Sequence, residues 1–203
     1  MTAPDPIVPL APSGRAQAAE IICQAFENDP AGVYAAPDLI RRRHLLSWYA
    51  RTGLALGFTR GEIFANSRLA GVAVWLRPGS TDLTLWAMLQ TGILPPFQAG
   101  PAALWRFVKA MIHFSRVHRQ YITEPHWYLF ILTVAPAHQG QGLGGRLIQP
   151  ILDRADAALL PCYLDTANPK AIPFYQKHGF KVVYQDYFPG SNIPFWGIRR
   201  EPQ

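Results

Sequence analysis

Charge is scarce in this chain. Only 16% of its 203 residues are Asp, Glu, Lys or Arg, while 49% are apolar. That balance excludes an intrinsically disordered polypeptide. Blocks of like charge are missing too, Arg41-Arg42-Arg43 being the one run. No finger spacing, basic zipper or RNP-like aromatic motif is present, so no nucleic-acid partner is expected. Cysteine is nearly absent. Cys23 and Cys162 cannot build a disulfide framework or a four-cysteine metal site, and their apolar neighbours read both as buried free thiols. The six histidines lack H-E-x-x-H or other ligand spacing, and no metal is expected. The first ten residues, MTAPDPIVPL, hold three prolines and no basic stretch. They do not read as a secretion signal.

Long apolar runs are few, and one needs an account. Residues 83–105 are 23 positions without a charge, enough to span a bilayer. Pro95-Pro96 lies in the middle, with Gly92 and Gly100 on either side, and in lipid that centre would leave backbone groups unpaired. Two helices joined by a turn are expected instead, with no membrane partner and a cytoplasmic location. The length suits one domain over residues 1–203, large enough to bury a core without staples. The net charge is +6, and residues 101–203 hold 11 basic and 6 acidic side chains. The basic excess therefore lies in the second half, which suggests an anionic ligand there.

Periodicity lays out the elements. A short strand is expected at 7–10 and a helix at 16–26, with Ser13 as its cap. Asn28-Asp29-Pro30 stops that helix. A second runs from Asp38 to about residue 56, closed by Gly57, with Gly53 weakening its last turn. Strands at 62–66 and 69–76 flank a turn at Ser67-Arg68. Helices at about 82–93 and 101–118 follow. Residues 127–134, WYLFILTV, are apolar or aromatic throughout, as in a strand buried on both faces. A helix at about 142–158 contains Pro150, which is expected to kink it. Then come a strand at 161–166, a short or distorted helix at 169–178, and strands near 180–188 and 193–199. The fold class is α/β, with the parallel portion at the buried strand and its successor.

The junction between that buried strand and its helix is the most informative segment. Gly140, Gly142, Gly144 and Gly145 fall within six residues. Glycines let the backbone turn sharply and approach a ligand closely. The N–H groups of a first helical turn have no internal partners, and the helix dipole adds positive charge there. The result is an anion site, most often for phosphate. It is not a P-loop, because no lysine follows. Gly140-x-Gly142-x-x-Gly145 fits a dinucleotide fingerprint, with Asp165 placed where a ribose-binding acid sits. Only 58 residues follow the loop, too few for the rest of a dinucleotide fold. The same residues also fit Gln139-x-x-Gly142-x-Gly144.

That second pattern resembles the signature of the GNAT superfamily of acyl-CoA-dependent N-acetyltransferases. Val134-x-Pro136 looks like the superfamily's fourth strand and its bulged turn. Asn168, Ala171, Phe174-Tyr175 and Gly179-Phe180 resemble its Asn…Ala…Phe-Tyr…Gly-Phe segment. The resemblance is strongest over residues 126–183. EPHWYL, HQGQGLG and FYQKHGF look most like puromycin N-acetyltransferase and its relatives, which implies a subfamily and not a substrate. The implied fold is a central mixed β-sheet flanked by helices. The implied activity moves an acetyl group from acetyl-CoA, as cosubstrate, to a primary amine of a small molecule by direct attack in a ternary complex.

The resemblance also implies site residues. Gln139, Gly140, Gln141, Gly142, Leu143, Gly144 and Gly145 would hold the pyrophosphate, mainly through backbone N–H groups, with His138 nearby. Leu132, Thr133 and Val134 would pair with the pantetheine arm, and an N–H near Val134 would face the thioester oxygen. Asn168 would meet the pantetheine amides, and Ala171 and Tyr175 would also belong to the cofactor site. Asn168-Pro169 also reads locally as a helix cap followed by proline. Tyr175 would protonate the departing thiolate. Glu124, His126, Asp165 and a water relay are all candidates for the general base. Trp48, Tyr49, Trp86, Met88, Trp105 and Phe114 are candidates for the acceptor wall, and the uncharged 83–105 region suggests a hydrophobic or aromatic amine. The oligomer is left as monomer or homodimer. A non-catalytic acyl-CoA-binding regulatory module and an NAD(P)-binding oxidoreductase stand as alternatives.

Overall fold

A computed structural model describes residues 5–188 and 190–203. Residues 1–4, part of the segment read as lacking a secretion signal, lie outside the described residues. Seven strands form one mixed sheet: β1 (Ile7–Pro9), β2 (Gly61–Asn66), β3 (Gly71–Leu76), β4 (Trp127–Val134), β5 (Cys162–Thr166), β6 (Lys181–Tyr187) and β7 (Pro194–Arg200). Their order across the sheet is β1-β2-β3-β4-β5-β7-β6. Only β4 and β5 pair in parallel; the other neighbours are antiparallel.

Helices cover both faces. α1 (Arg15–Phe26) and α3 (Leu39–Arg60) pack on one, and α6 (Leu143–Ala157) on the other. The strands sort their side chains by the period of two, except where a bulge in β4 opposite Val74 and Trp75 puts Leu129 and Ile131 on opposite faces. Ile63, Ala65, Val72, Val74 and Ile131 point to α1 and α3, while Phe64, Ala73, Trp75 and Leu129 meet α6. The remaining helices are α2 (Pro30–Ala35), α4 (Leu85–Leu89), α5 (Pro101–Tyr121) and α7 (Ile172–Lys177).

Several sequence expectations change here. Ser13 caps nothing; it lies in a 3-10 turn, Pro12–Gly14, that leads into α1 with Gly14 at the N-cap and no side-chain bond. Asp29 does more than stop α1. Its carboxylate accepts the Ala31 N–H at 2.9 Å and starts α2, a helix the periodicity did not reveal. Gly57 does not end α3, which continues to Arg60. The uncharged region holds only the five-residue α4 and a 3-10 turn at Phe97–Ala99 before Gly100, whose φ of +80° turns the chain into α5. α6, as expected, contains Pro150 within its length. Cys162 is buried, but Cys23 is only half-buried. Burial pushes the thiols up, to about 11 for Cys23 and about 12 for Cys162, so neither offers a thiolate. No helix among the described residues is long and apolar enough to cross a membrane.

Candidate functional site

The site begins where two parallel strands part. β4 and β5 are in register at only two positions, Trp127↔Cys162 and Tyr128↔Tyr163. β4 then runs on to Val134 alongside β3, while β5 turns to pair with β7. From Leu129 onward the β5-facing edge of β4 is therefore unpaired, in the middle of a sheet. The Ala135 N–H donates to Ala70 on the β3 side at 2.8 Å. Backbone groups alternate along a strand, so the N–H groups of Val134 and Leu132 face the gap.

A cavity of about 280 Å³ opens into this gap. Of the residues anticipated from sequence, Leu132, Thr133, Val134, Gln139, Asn168, Ala171 and Tyr175 line it. The Thr133 hydroxyl is buried and has no hydrogen-bond partner among the described residues. Tyr175 is buried, and no partner for its hydroxyl is found among the described residues. Burial raises the hydroxyl well above the usual tyrosine range, with the nearby Asp29 adding to the effect. It stays protonated at neutral pH. The Asn168 side chain accepts the Lys170 N–H at 3.0 Å and opens the turn that leads into α7.

The glycine loop sits at the end of β4. Arg146 is the first residue of α6 whose N–H finds a carbonyl, that of Gly142 at 3.3 Å. The N–H groups of Leu143, Gly144 and Gly145 ahead of it have no partner among the described residues. Gly140 and Gly142 both have φ of +75° with open space beside them, so the turn itself requires glycine there. The other two glycines have a packing reason. A Cβ on Gly144 would stand 3.3 Å from the Phe174 ring, and one on Gly145 only 2.6 Å from His178 Nε2. Gln139 offers less than expected. Its N–H donates to Pro136 and its side-chain amide to the Val134 carbonyl at 2.9 Å, so it closes the turn. The Gln141 side chain bonds the Ala137 carbonyl. Leu143 turns its side chain into the core, and His138 is exposed.

The candidate bases separate cleanly. Glu124 is exposed and ion-paired with Arg199. His126 is buried outside the cavity lining, between the Glu124 carbonyl and His118. Asp165 lines the cavity. Of the six aromatic and methionine candidates for the acceptor wall, only Tyr49 and Phe114 line it. Trp48 is buried and donates to the Ile93 carbonyl, Met88 is core, and Trp86 and Trp105 are about two-thirds exposed. Of the uncharged run only Leu83 lines the cavity; the apolar wall comes from Phe26, Leu45, Leu46 and Tyr49 on α1 and α3, and from α5, through Phe107, Ala110, Met111 and Phe114. The α5 seam was obscured in sequence because exposed Trp105 and Ile112 interrupt it. No cluster of His, Cys, Asp and Glu suited to a metal occurs among the described residues.

Comparison with known proteins bears on the family and the fold. Residues 106–180 match the Acetyltransferase (GNAT) family. An uncharacterized N-acetyltransferase of Schizosaccharomyces pombe is 24% identical over 196 residues, covering 92% of this chain and 79% of that protein. A structure described as histone acetyltransferase HPA2 and related acetyltransferase, from Corynebacterium glutamicum, superposes with a TM-score of 0.68 at 19% identity. The alignment covers 97% of this chain and 96% of that one. Arylalkylamine N-acetyltransferase 2 of Aedes aegypti gives a TM-score of 0.62 at 14% identity, covering 98% and 99%. Over residues 106–180 the chain thus matches a GNAT acetyltransferase domain, its fold is that of GNAT acetyltransferase structures, and relatives named N-acetyltransferase support an acetyltransferase enzyme.

Proposed function

We propose that this chain moves the acetyl group of acetyl-CoA to the primary amine of a small molecule, by direct attack within a ternary complex. The observation that carries the reading is the parting of β4 from β5, with a tyrosine lining the gap whose hydroxyl has no partner among the described residues. The residues suit acetyl-CoA. An unpaired strand edge in a sheet's centre is a template for an amide-bearing chain, which pantetheine is. The unmatched N–H groups of Leu143, Gly144 and Gly145 at the start of α6 suit a pyrophosphate. The orphaned Thr133 hydroxyl awaits a polar partner.

Each residue then has a task. The Val134 N–H, directed at the gap, stabilises the negative charge that develops on the thioester oxygen. Tyr175 gives its proton to the departing sulfur, since a thiolate is a better leaving group when protonated as it leaves. Asn168 and Ala171 line the path between the loop and Tyr175. The apolar wall from α5 excludes water and receives the acceptor. The proposed compartment is the cytoplasm, where acetyl-CoA is supplied.

The test pairs binding with turnover. Acetyl-CoA should raise the melting temperature of the wild-type protein, as any ligand held by the native state does, and NAD(P) should not. Tyr175→Phe should keep that shift while kcat with an amine acceptor drops about 100-fold. Unchanged turnover would remove Tyr175 from the mechanism, and stabilisation by NAD(P) alone would overturn the reading.

A further inference from the structure

The cavity's charge is one-sided. In a protein of net charge +6, no lysine or arginine lines it. Two carboxylates do, Asp29 and Asp165. Asp29 is committed to capping α2. Asp165 stands on β5 just past the last paired position, where the gap opens. Two hydroxyls hold it: Tyr128 on β4 donates to one carboxylate oxygen at 2.9 Å, and Tyr163 on β5 to the other at 3.0 Å. Each oxygen thus retains lone-pair capacity. Asp165 has no ion-pair partner among the described residues, unlike Glu124 and Asp156.

His118 on α5 also lines the cavity, but its Nε2 is held by a second imidazole and its burial makes it a weak base. His126 Nδ1 faces the Glu124 carbonyl at 2.7 Å, so it must donate. His126 Nε2 is then the acceptor, and His118 Nε2, 2.6 Å away, carries the proton given to it. Both rings are neutral. Burial, then the facing His126, pushes His118 down to about 3.

We propose, building on the function above, that Asp165 receives the acceptor as its ammonium and takes the proton that frees the attacking lone pair. The acceptor is accordingly a primary amine with an apolar or aromatic body and no carboxylate or phosphate of its own. One proton of the ammonium passes to the Asp165 carboxylate. The freed nitrogen pair forms the C–N bond as the carbonyl pair moves to oxygen. On collapse the C–S bond breaks, and the sulfur takes the Tyr175 proton. The nitrogen's surplus proton restores Tyr175, and Asp165 releases its own to solvent, so one proton leaves per turnover.

The surroundings suit both halves of the task. Phe26, Tyr49, Phe107, Met111, Phe114 and Phe130 give the cavity apolar walls. Tyr49 on α3, Tyr128 on β4, Tyr163 on β5, His118 on α5, Asp29 before α2 and Tyr175 on α7 are the titratable groups around Asp165, and none is cationic at neutral pH. Burial raises the Asp165 carboxyl to about 7, and the two tyrosine hydroxyls pull it partway back. A base with that pKa is matched to neutral pH. An acceptor bearing a carboxylate would meet two carboxylates and no cation.

The experiment uses tyramine and phenethylamine against tyrosine and phenylalanine, each assayed as thiol released from acetyl-CoA. The amines should be turned over, with kcat/KM at least 100-fold above their amino acids. For tyramine, kcat/KM should rise through about pH 7 and fall above the amine's own pKa. Asp165→Asn should lower kcat/KM at least 100-fold and abolish the acid limb, while the acetyl-CoA melting shift stays intact. Tyr128→Phe removes one hydroxyl that stabilises the carboxylate, so it should move the acid limb to higher pH. An Asp165→Asn protein within threefold of wild type, an acid limb that survives in it, or amino acids used as well as amines would overturn the assignment. So would acetyl-CoA binding without turnover of either amine. Loss of acetyl-CoA binding by the wild type would instead overturn the proposed function beneath it.

Discussion

Arg200 is a charge in the protein's interior. Its guanidinium is 4% exposed and forms a two-pronged pair with Asp156, at 2.6 and 2.7 Å. Its Nε donates to the His178 carbonyl, and Asp156 also accepts the Gln203 N–H. The pair ties the last strand to the end of α6 and the turn after α7. Removing one partner of a buried pair strands the other. Asp156→Ala should destabilise the protein by about 3 kcal/mol, read as a lower midpoint in urea, with acetyl-CoA affinity retained by what folds. A change under about 0.5 kcal/mol would mean that water replaces the carboxylate. Nothing in the sequence links positions 44 apart, since only the register of β5 with β7 brings Arg200 near α6. Asp165 is the same kind of residue. Its place at the end of a strand was readable, as was Tyr163 two residues earlier on the same face, but Tyr128 meets it only because β4 and β5 pair for two residues. Tyr175 and Asn168 were legible because a local motif carries them.

The elements themselves were mostly legible, and the failures share a cause. All seven strands lie within two residues of where alternation and turn signals put them. Besides the Ser13 cap and the overlong helix at 82–93, the misread points are glycines and a short helix, where contacts outweigh propensity. Gly53 and Gly57 look like helix weakeners, yet both are where α3 crosses the sheet. A Cβ on Gly53 would stand 2.6 Å from Ile131, and one on Gly57 would meet Val74 and Ile63 at 2.7 to 2.9 Å. Helix propensity alone makes Gly57→Ala stabilising by about 1 kcal/mol. Overpacking against two β-branched side chains costs about 1–3 kcal/mol. The contact should win, and Gly57→Ala should lower the unfolding free energy by about 1 kcal/mol in a urea titration. A stabilised variant would show that α3 can lift from the sheet at no cost. α2 was missed for a related reason. Six residues give too little periodicity to see, and its start depends on the Asp29 carboxylate.

At the scale of the whole molecule, two buried groups near one cavity titrate with opposite consequences for stability. Asp165 has a raised folded pKa, about 7. Its neutral form is the comfortable one, so its contribution is fully present below about pH 4 and is lost as pH rises through 7. His118 has a lowered folded pKa, about 3. Its contribution is present above about pH 6.5 and is lost as pH falls toward 3. Between pH 6.5 and 5 the two oppose each other. Burial also lowers His126 and His113 and raises Asp29, but these shifts are common to all variants compared. The carboxylates Glu124, Asp156 and Asp186 are held low by their hydrogen bonds and add their losses only nearer pH 4. Variants separate the two groups. Relative to wild type, Asp165→Asn should lose ground as pH falls from 7 to 5, by up to about 1.4 kcal/mol per pH unit. His118→Gln, which can still donate an N–H to His126, should gain ground from pH 6.5 to 5 with the same limiting slope. Urea melts at half-unit steps measure both differences. Two slopes of the same sign would mean that the cavity does not keep a carboxyl and an imidazole neutral side by side. In that case the amine would meet a pocket already carrying its own cation.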